Sequence, residues 1–375
     1  MLICVCRLLS SMERMLMDKM DLRKVLIGLH HSKGIGWKTI SQLMEHRDLP
    51  MAENFGESDW IERGVAAAAA RGLTHTVREE YVLEYEDNLK NKGIIPVTPF
   101  DAEYPILLKE TPRPPWVLYT IGRIELLASL CIALVGTRVP TAYGRKAAEM
   151  LAGTLASQGI NVVSGMARGI DGICHEAAFR ASGLTTAVLG TAIDKPYPPE
   201  NYSLYREIGE KGLIISEYPV GTPPHPGLFP QRNRIIAGLS RGTVVVEADL
   251  RSGSLITADS ALEANRDVFA VPGPITSPKS RGALNLIKQG AKLVTEASDI
   301  LEEYGFRPAP VQMENGNKLT EEEQRIYHML EQGNRSFDEL LALTSWEFGL
   351  LHSVLLSLII KKQAVQLPGS IYKLV

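Results

Sequence analysis

Six short apolar runs recur between residues 131 and 271: IALV at 132–135, INVV at 160–163, TAVL at 186–189, LII at 213–215, VVV at 244–246 and VFAV at 268–271. Each is too short for a helix and lacks polar alternation, as a strand buried on both faces should. Amphipathic stretches of about ten residues or more separate most of them. This alternation predicts an α/β fold, a Rossmann-like, doubly wound and mostly parallel sheet. Ligands of such sheets sit beyond the carboxyl ends of the strands. The residues that follow the runs are therefore the informative ones. They are Gly136-Thr137-Arg138, Ser164-Gly165 through Asp171, Gly190 through Asp194, Glu217, Glu247, and Pro272-Gly273.

The stretch 229–259 concentrates these features. Arg232, Asn233 and Arg234 follow Pro230, where a helix would begin, and free backbone N–H groups there favour an anion. After the VVV run, Arg251-Ser252-Gly253-Ser254 opens another helix, with Thr257 one turn in. Small residues let a phosphate approach the backbone closely. Ser164, Gly165 and Gly169 form a similar nest-like loop, and Gly136 ends the first strand. Arg138, Arg168 and Arg234, each at a strand end or helix start, are expected to converge on one cationic pocket, because the planar guanidinium matches phosphate. Phe229, behind a proline-rich segment, suits base stacking or a core plug, and Tyr197 suits a base or a gap under its loop. Asp171 reads as a helix-capping partner of Arg168, and His175 as an ordinary hydrogen-bonded histidine.

With 375 residues, two or three domains are expected. Net charge is −3, so any nucleic-acid function needs a local patch. Residues 131–296 hold 17 Lys/Arg and 14 Asp/Glu, a bias too mild to decide the question. The four cysteines show no CxxC or His/Cys metal spacing, so no metal and no cofactor are expected; reduced thiols point to the cytoplasm. The apolar start is too short to span a membrane, and residues 1–20 read as a tail or an upstream-extended start. Residues 21–95 read as a helical module. Its His31–Thr39 turn is either helix-hairpin-helix-like, with amides facing a phosphate, or an ordinary helix–helix turn. Proline-rich residues 96–115 read as an extended entry to the sheet domain, 96–305, with a strand at 116–119. Residues 306–317 read as a linker. Residues 318–375 read as a winged helix, with Thr320, Ser336 and Ser345 capping its three helices. Its third helix is apolar and poor in arginine, which favours protein contact or a structural role over base reading.

No GxxxxGK[ST], no GxGxxG after the first strand and no GxSxG elbow is present. The motifs that are present, VGTR, SGMARGID, VLGTAID through YP and Asn201, FPQRNRIIAGLS, VVVEADLRSGSLITA and VFAVPGP, resemble those of the DNA-processing protein A family, also called DprA or Smf. The resemblance spans roughly residues 96–304 in order. It implies a non-enzymatic, homodimeric binder of single-stranded DNA. It also implies a role in natural transformation, protecting incoming strands and loading RecA recombinase onto them. Arg138 is then the leading phosphate contact, with Arg168, Arg232 and Arg234 in support and Gly165, Gly253 and Ser254 giving close backbone contact. Two positions depart from the family pattern. Pro199 stands where a Lys often follows Tyr-Pro, which Lys195 is expected to offset, and only His225 precedes the FP pair. Residues 282–292, with Leu284, Ile287 and Leu293, offer either a dimer face or core burial. The alternative is a nucleotide-cleaving enzyme of the phosphoribohydrolase type, but Arg251–Ser254 replaces its double-glycine loop and no Glu follows in the first helical turn.

Overall fold

A computed structural model describes residues 19–181, 183–306, 319–361 and 363–374. Most of the expected tail and of the expected linker, with Cys4 and Cys6, lie outside the described residues. The chain divides into two compact units, which part after Phe306.

The first unit starts with helices α1 (Lys19–His31), α2 (Trp37–Leu43), α3 (Glu57–Glu62), α4 (Ala67–Thr76) and α5 (Glu79–Lys90). Strand β1 (Ile95–Val97), the short helix α6 (Ile106–Lys109) and β2 (Leu118–Gly122) follow. The proline-rich segment is thus less extended than its composition suggests. Pro96 is accommodated because β1 is an edge strand, where a missing N–H leaves no ladder partner bare. The alternation then proceeds through β3 (Cys131–Val135), α7 (Ala142–Ser157), β4 (Asn161–Ser164), α8 (Ile170–Ala181), β5 (Thr185–Leu189), α9 (Tyr202–Lys211) and β6 (Leu213–Ser216). It continues with α10 (Leu228–Leu239), β7 (Gly242–Val245), α11 (Gly253–Glu263), β8 (Asp267–Ala270), α12 (Arg281–Lys288), β9 (Lys292–Leu293) and α13 (Ser298–Leu301).

The strands form one sheet in the order β1-β2-β6-β5-β4-β3-β7-β8-β9, parallel from β6 to β9 and antiparallel at the β1-β2 end. The period-two alternation of a strand sends Ile132 and Leu134 to the face covered by α7 and α8, while Ala133 and Val135 pack with α10, α11 and α12 on the other. From β3 the chain winds outward to β6, then returns so that β7 lies on the other side of β3. The β3–β7 boundary is therefore the switch point. The loops above it diverge and open a crevice.

The N-terminal helices do not form a core of their own. Leu26, Leu29, Ile40 and Trp60 share one apolar cluster with Trp116, Tyr119 and Leu189 of the sheet. Arg23 ties α1 to Glu86 at 2.6 Å and to Asp101 at 2.7 Å. In the Gly-rich turn, Trp37 Nε1 donates to the Pro114 carbonyl at 2.6 Å and the ring lies 5.8 Å from Trp116. That is the geometry of a packed helix–helix turn.

At the amino end of β4 the Asn161 side chain is fully buried, its Nδ2 donating to the Leu126 carbonyl at 3.1 Å and to Thr186 Oγ1 at 2.9 Å. Asn161→Ala should cost about 1–3 kcal/mol, because partners stay buried without their hydrogen bonds. A denaturation midpoint equal to the parent's would contradict this.

The second unit contains α14 (Glu321–Glu331), β10 (Arg335–Ser336), α15 (Phe337–Thr344), α16 (Phe348–Ile360), β11 (Ala364–Leu367) and β12 (Ile371–Leu374), with the strands ordered β10-β12-β11. Thr320 and Ser336 cap α14 and α15 through capping boxes. Ser345 does not cap α16: it ends α15 in a left-handed conformation at φ +57°, and Glu347 occupies the N-cap of α16. Among the described residues, no single helix is long and apolar enough to cross a membrane.

Candidate functional site

A cleft of about 560 Å3 opens at the switch point. The end of β3 supplies Val135, Gly136, Thr137 and Arg138. Helix α10 supplies Phe229, Arg232 and Asn233, and the start of α11 supplies Ser252, Gly253, Ser254, Ile256 and Thr257. Sequence reading named most of the lining residues but assigned no role to Ile236, Ile256 and Pro226. Ile256 had a usable signal, since it lies three residues after Gly253, on the face that lines the cleft.

Arg138 is exposed at the rim and has no ion-pair partner among the described residues. Its loop is fixed from below. Thr137 N donates to the Glu247 carbonyl at 2.7 Å, and the Thr137 carbonyl accepts from Ile170 N at 3.2 Å. Gly169, at φ +78°, lies where a Cβ would strike the Thr137 and Arg138 carbonyl groups. Gly169 and Ser164 therefore serve packing. Ser164 is fully buried and its hydroxyl donates to the Leu134 carbonyl at 2.6 Å. Neither lines the cleft, contrary to the expectation of a phosphate nest.

Arg232 is only 5% exposed at the cleft floor. Its Nη1 donates to the carbonyls of Gly165 and Val188, and its Nε donates to Asn233 Oδ1 at 3.2 Å. A Cβ on Gly165 would come within 2.6 Å of the guanidinium carbon, so Gly165 makes room for Arg232. Asp171 is the nearby anion. Burial pushes its carboxyl up, and Arg232 together with the Ala167 N–H draws it back down. Asp171 thus lies within reach of the Arg232 charge without a direct ion pair, and Arg168 instead pairs with Glu200 at the surface. Arg168 lines a smaller adjoining pocket of about 30 Å3 with Arg138, Gly165, Tyr197 and Phe229.

Arg234 does not join the cleft. Two residues along a helix is about 200° of rotation, so Arg232 and Arg234 face opposite ways. Arg234 pairs with Glu217 and donates to the Arg113 carbonyl at 2.5 Å. Lys195 is also elsewhere, with Nζ 3.4 Å from the Gly221 carbonyl. The expected convergence of Arg138, Arg168 and Arg234 is thus corrected to Arg138, Arg168 and the buried Arg232.

Asn233 Nδ2 donates to the Gly253 carbonyl at 3.2 Å, joining α10 to the start of α11. Ser252 caps α11, and a Cβ on Gly253 would meet open space. The start of α11 thus borders the cleft, with open space beside Gly253 and Ser254 N already donating to Ser252 Oγ, a suitable place for an anion. The rings of Tyr197 and Phe229, which also line the cleft, lie 5.3 Å apart, with Phe229 seated over Gly190. Tyr197 is 45% exposed.

The carboxylates at neighbouring strand ends are committed. Glu247 accepts from Thr141 N at 2.9 Å and Thr141 Oγ1 at 2.5 Å, and Glu217 holds Arg234. His175 is buried, and burial, then Arg232, lowers its pKa to about 3. Thr185 Oγ1 donates to the Val162 carbonyl and so accepts from His175 Nδ1 at 2.7 Å, the ordinary hydrogen-bonded histidine expected. Among the described residues no cluster of three or more His, Cys, Asp or Glu is placed to hold a metal ion.

Residues 96–305 match the family model described as DNA recombination-mediator protein A. The chain belongs to this family. A Protein Smf from Synechocystis is 39% identical over 288 residues, covering 74% of this chain and 71% of that protein. A Protein Smf from Escherichia coli is 47% identical over 210 residues, 56% of each chain. The X-ray structure of DNA processing protein A from Streptococcus pneumoniae superposes with a TM-score of 0.64 at 36% identity, covering 76% of this chain and 99% of that one. DNA processing protein A from Helicobacter pylori, whose structure concerns its single-stranded DNA binding mode, gives a TM-score of 0.52 at 31% identity over 56% of this chain and 95% of that one. The span of this recombination-mediator family member that matches the family model holds the whole cleft. The helices of residues 19–90 and the second unit fall outside it.

Proposed function

We propose that this chain binds single-stranded DNA in the switch-point cleft, protects incoming strands during natural transformation and loads a RecA recombinase onto them. One juxtaposition carries the reading. A rim arginine with no ion-pair partner among the described residues, the start of helix α11, and the rings of exposed Tyr197 and partly buried Phe229 line one open cleft. Cations track phosphates and rings stack on unpaired bases, neither requiring a particular sequence. The single-stranded DNA binding mode studied for the Helicobacter pylori relative supports the same ligand here. Burial of Arg232 assigns it to the floor that shapes the cleft, with Arg138 as the principal phosphate contact.

Arg138→Ala should weaken binding of an oligothymidylate about tenfold and reduce the salt slope of log K by about 0.7, the value for one phosphate contact on a single strand. Titrations at two salt concentrations check this; coincident curves for parent and variant would count against the assignment. A gel shift comparing single- and double-stranded oligonucleotides, with and without RecA, tests the wider role. The commitment of Glu217 and Glu247 to structural contacts supports a binding role over nucleotide cleavage. Release of free base from AMP would overturn that preference.

The reading extends to a cytoplasmic homodimer of three modules: a SAM/helix-hairpin-helix-like N-terminal part, the Rossmann-like domain and a C-terminal winged helix. The three helices and β-hairpin of the second unit support the last. Exposed Leu343, Phe348 and Leu356 there favour protein contact over base reading. The open edge at β9, with Leu293 45% exposed, supports pairing of two copies. On α12 itself Ala283 and Leu286 are buried and Ile287 packs against the core, which leaves Leu293 as the better dimer candidate.

A further inference from the structure

We infer that a strand held in the cleft continues past Arg138 to a second stacking station, the ring of Tyr143, on the β8 side of the switch point; this rests on the single-strand reading above. Tyr143 lies in the first turn of α7, is 48% exposed, and is not among the cleft-lining residues. Its hydroxyl donates to the Pro272 carbonyl at 2.6 Å, which pins the ring in place. A fixed ring with an open face is what stacking on a base requires, because little side-chain freedom is then lost on binding.

The loop after β8, which holds the Tyr143 hydroxyl through Pro272, is tied to two others. Lys279 Nζ donates to the Val139 carbonyl, joining the loop after β8 to the loop after β3. Ala248 N donates to the Lys279 carbonyl at 2.8 Å, and Gly282 N to the Ala248 carbonyl at 2.8 Å, joining both to the loop after β7. Two of these loops reach the cleft, where Arg138 and Ser252 line it; Val139 follows Arg138 and Arg251 precedes Ser252 in the chain. The three loops are apolar at several points, with Val139 69%, Leu250 55% and Ile275 83% exposed.

Charge selects the occupant. Segments 137–146, 247–252 and 272–281 contain Arg138, Arg145, Lys146, Arg251, Lys279 and Arg281 against two carboxylates, Asp249 and the buried Glu247 held by Thr141. The core of a protein–protein interface is depleted in charge, whereas apolar groups interleaved with cations of one sign suit a polynucleotide. The nucleic acid is therefore favoured over a protein partner.

The test uses fluorescence anisotropy on the full chain with labelled oligothymidylates of about 6 and about 15 nucleotides, lengths bracketing a single binding groove and its extension. Tyr143→Leu should leave the short oligomer unaffected and weaken the long one about tenfold. Tyr143→Phe keeps the ring and should stay within about threefold of the parent on both. Ultraviolet cross-linking of the long oligomer should map to the peptide containing Tyr143. If Tyr143→Leu matches the parent on the long oligomer while Arg138→Ala weakens both, the station is wrong and the cleft stands. Equal losses on both lengths for Tyr143→Leu also overturn it, since the residue would then act through the fold. A parent that binds neither oligomer overturns the single-strand reading itself.

Discussion

Arg232→Ala is expected to cost about 3–5 kcal/mol of stability, the usual consequence of removing a buried charge that compensates another. The substitution strips the Gly165 and Val188 carbonyls of a donor and leaves Asp171 buried without its compensating cation. The loss should depend on pH in a definite direction. Burial already holds the Asp171 carboxyl above its ordinary value with Arg232 present, and without the guanidinium it rises further. A carboxyl raised in the folded state contributes fully below its unfolded pKa, and that contribution is lost as pH rises through the folded pKa. The deficit of the variant should therefore be larger near pH 7.5 than near pH 5. Urea denaturation of parent and variant at about those two values reads this out. Adding Asp171→Asn should recover part of the neutral-pH loss. A deficit identical at both pH values would show that Asp171 is not the group left uncompensated.

Gly169→Ala should cost about 2–5 kcal/mol and also weaken single-strand binding. Alanine at a left-handed φ of +78° contributes roughly 1–2 kcal/mol. The overlap of its Cβ with the Thr137 and Arg138 carbonyl groups adds about 1–3 kcal/mol, and backbone cannot rotate aside as a side chain can. Relief of the overlap must move the loop carrying Arg138, so stability and affinity fall together. Thermal unfolding, with binding measured well below the transition, separates the two effects. A variant that melts like the parent would contradict the packing argument. One that loses stability but binds with parental affinity would detach Arg138 from the position of its loop.

These two glycine and arginine sites show where sequence reasoning reached and where it stopped. Gly169 and Arg232 were both picked out, but as phosphate contacts. Each is required by a neighbour far away in the chain: Arg232 by carbonyls 67 and 44 residues back, Gly169 by the loop at Thr137 and Arg138. A motif marks that a residue type is needed. It does not tell whether the need comes from a ligand or from another part of the fold. Asp171 was matched to Arg168 for the same reason, since proximity along the chain was the only distance available. The N-terminal helices were read as a separate module from their own periodicity. Their apolar faces in fact complete a core with Tyr119 and Leu189, and nothing local to residues 21–95 reveals that.

The order of short apolar runs was enough to set six strands of the parallel sheet, though not β9, together with helices between them and the placement of Arg138, Ser252 and Gly253 at element ends. Those are local properties, governed by side-chain period and by the backbone preferences of Gly, Ser and Pro. The strand order that puts β7 beside β3, and with it the cleft, came only with the tertiary structure. So did the inward turn of Arg232 and the outward turn of Arg234 toward Glu217. The physical reason is that these choices depend on pairings across tens to more than a hundred residues, where packing and burial of charge, not local preference, select the outcome.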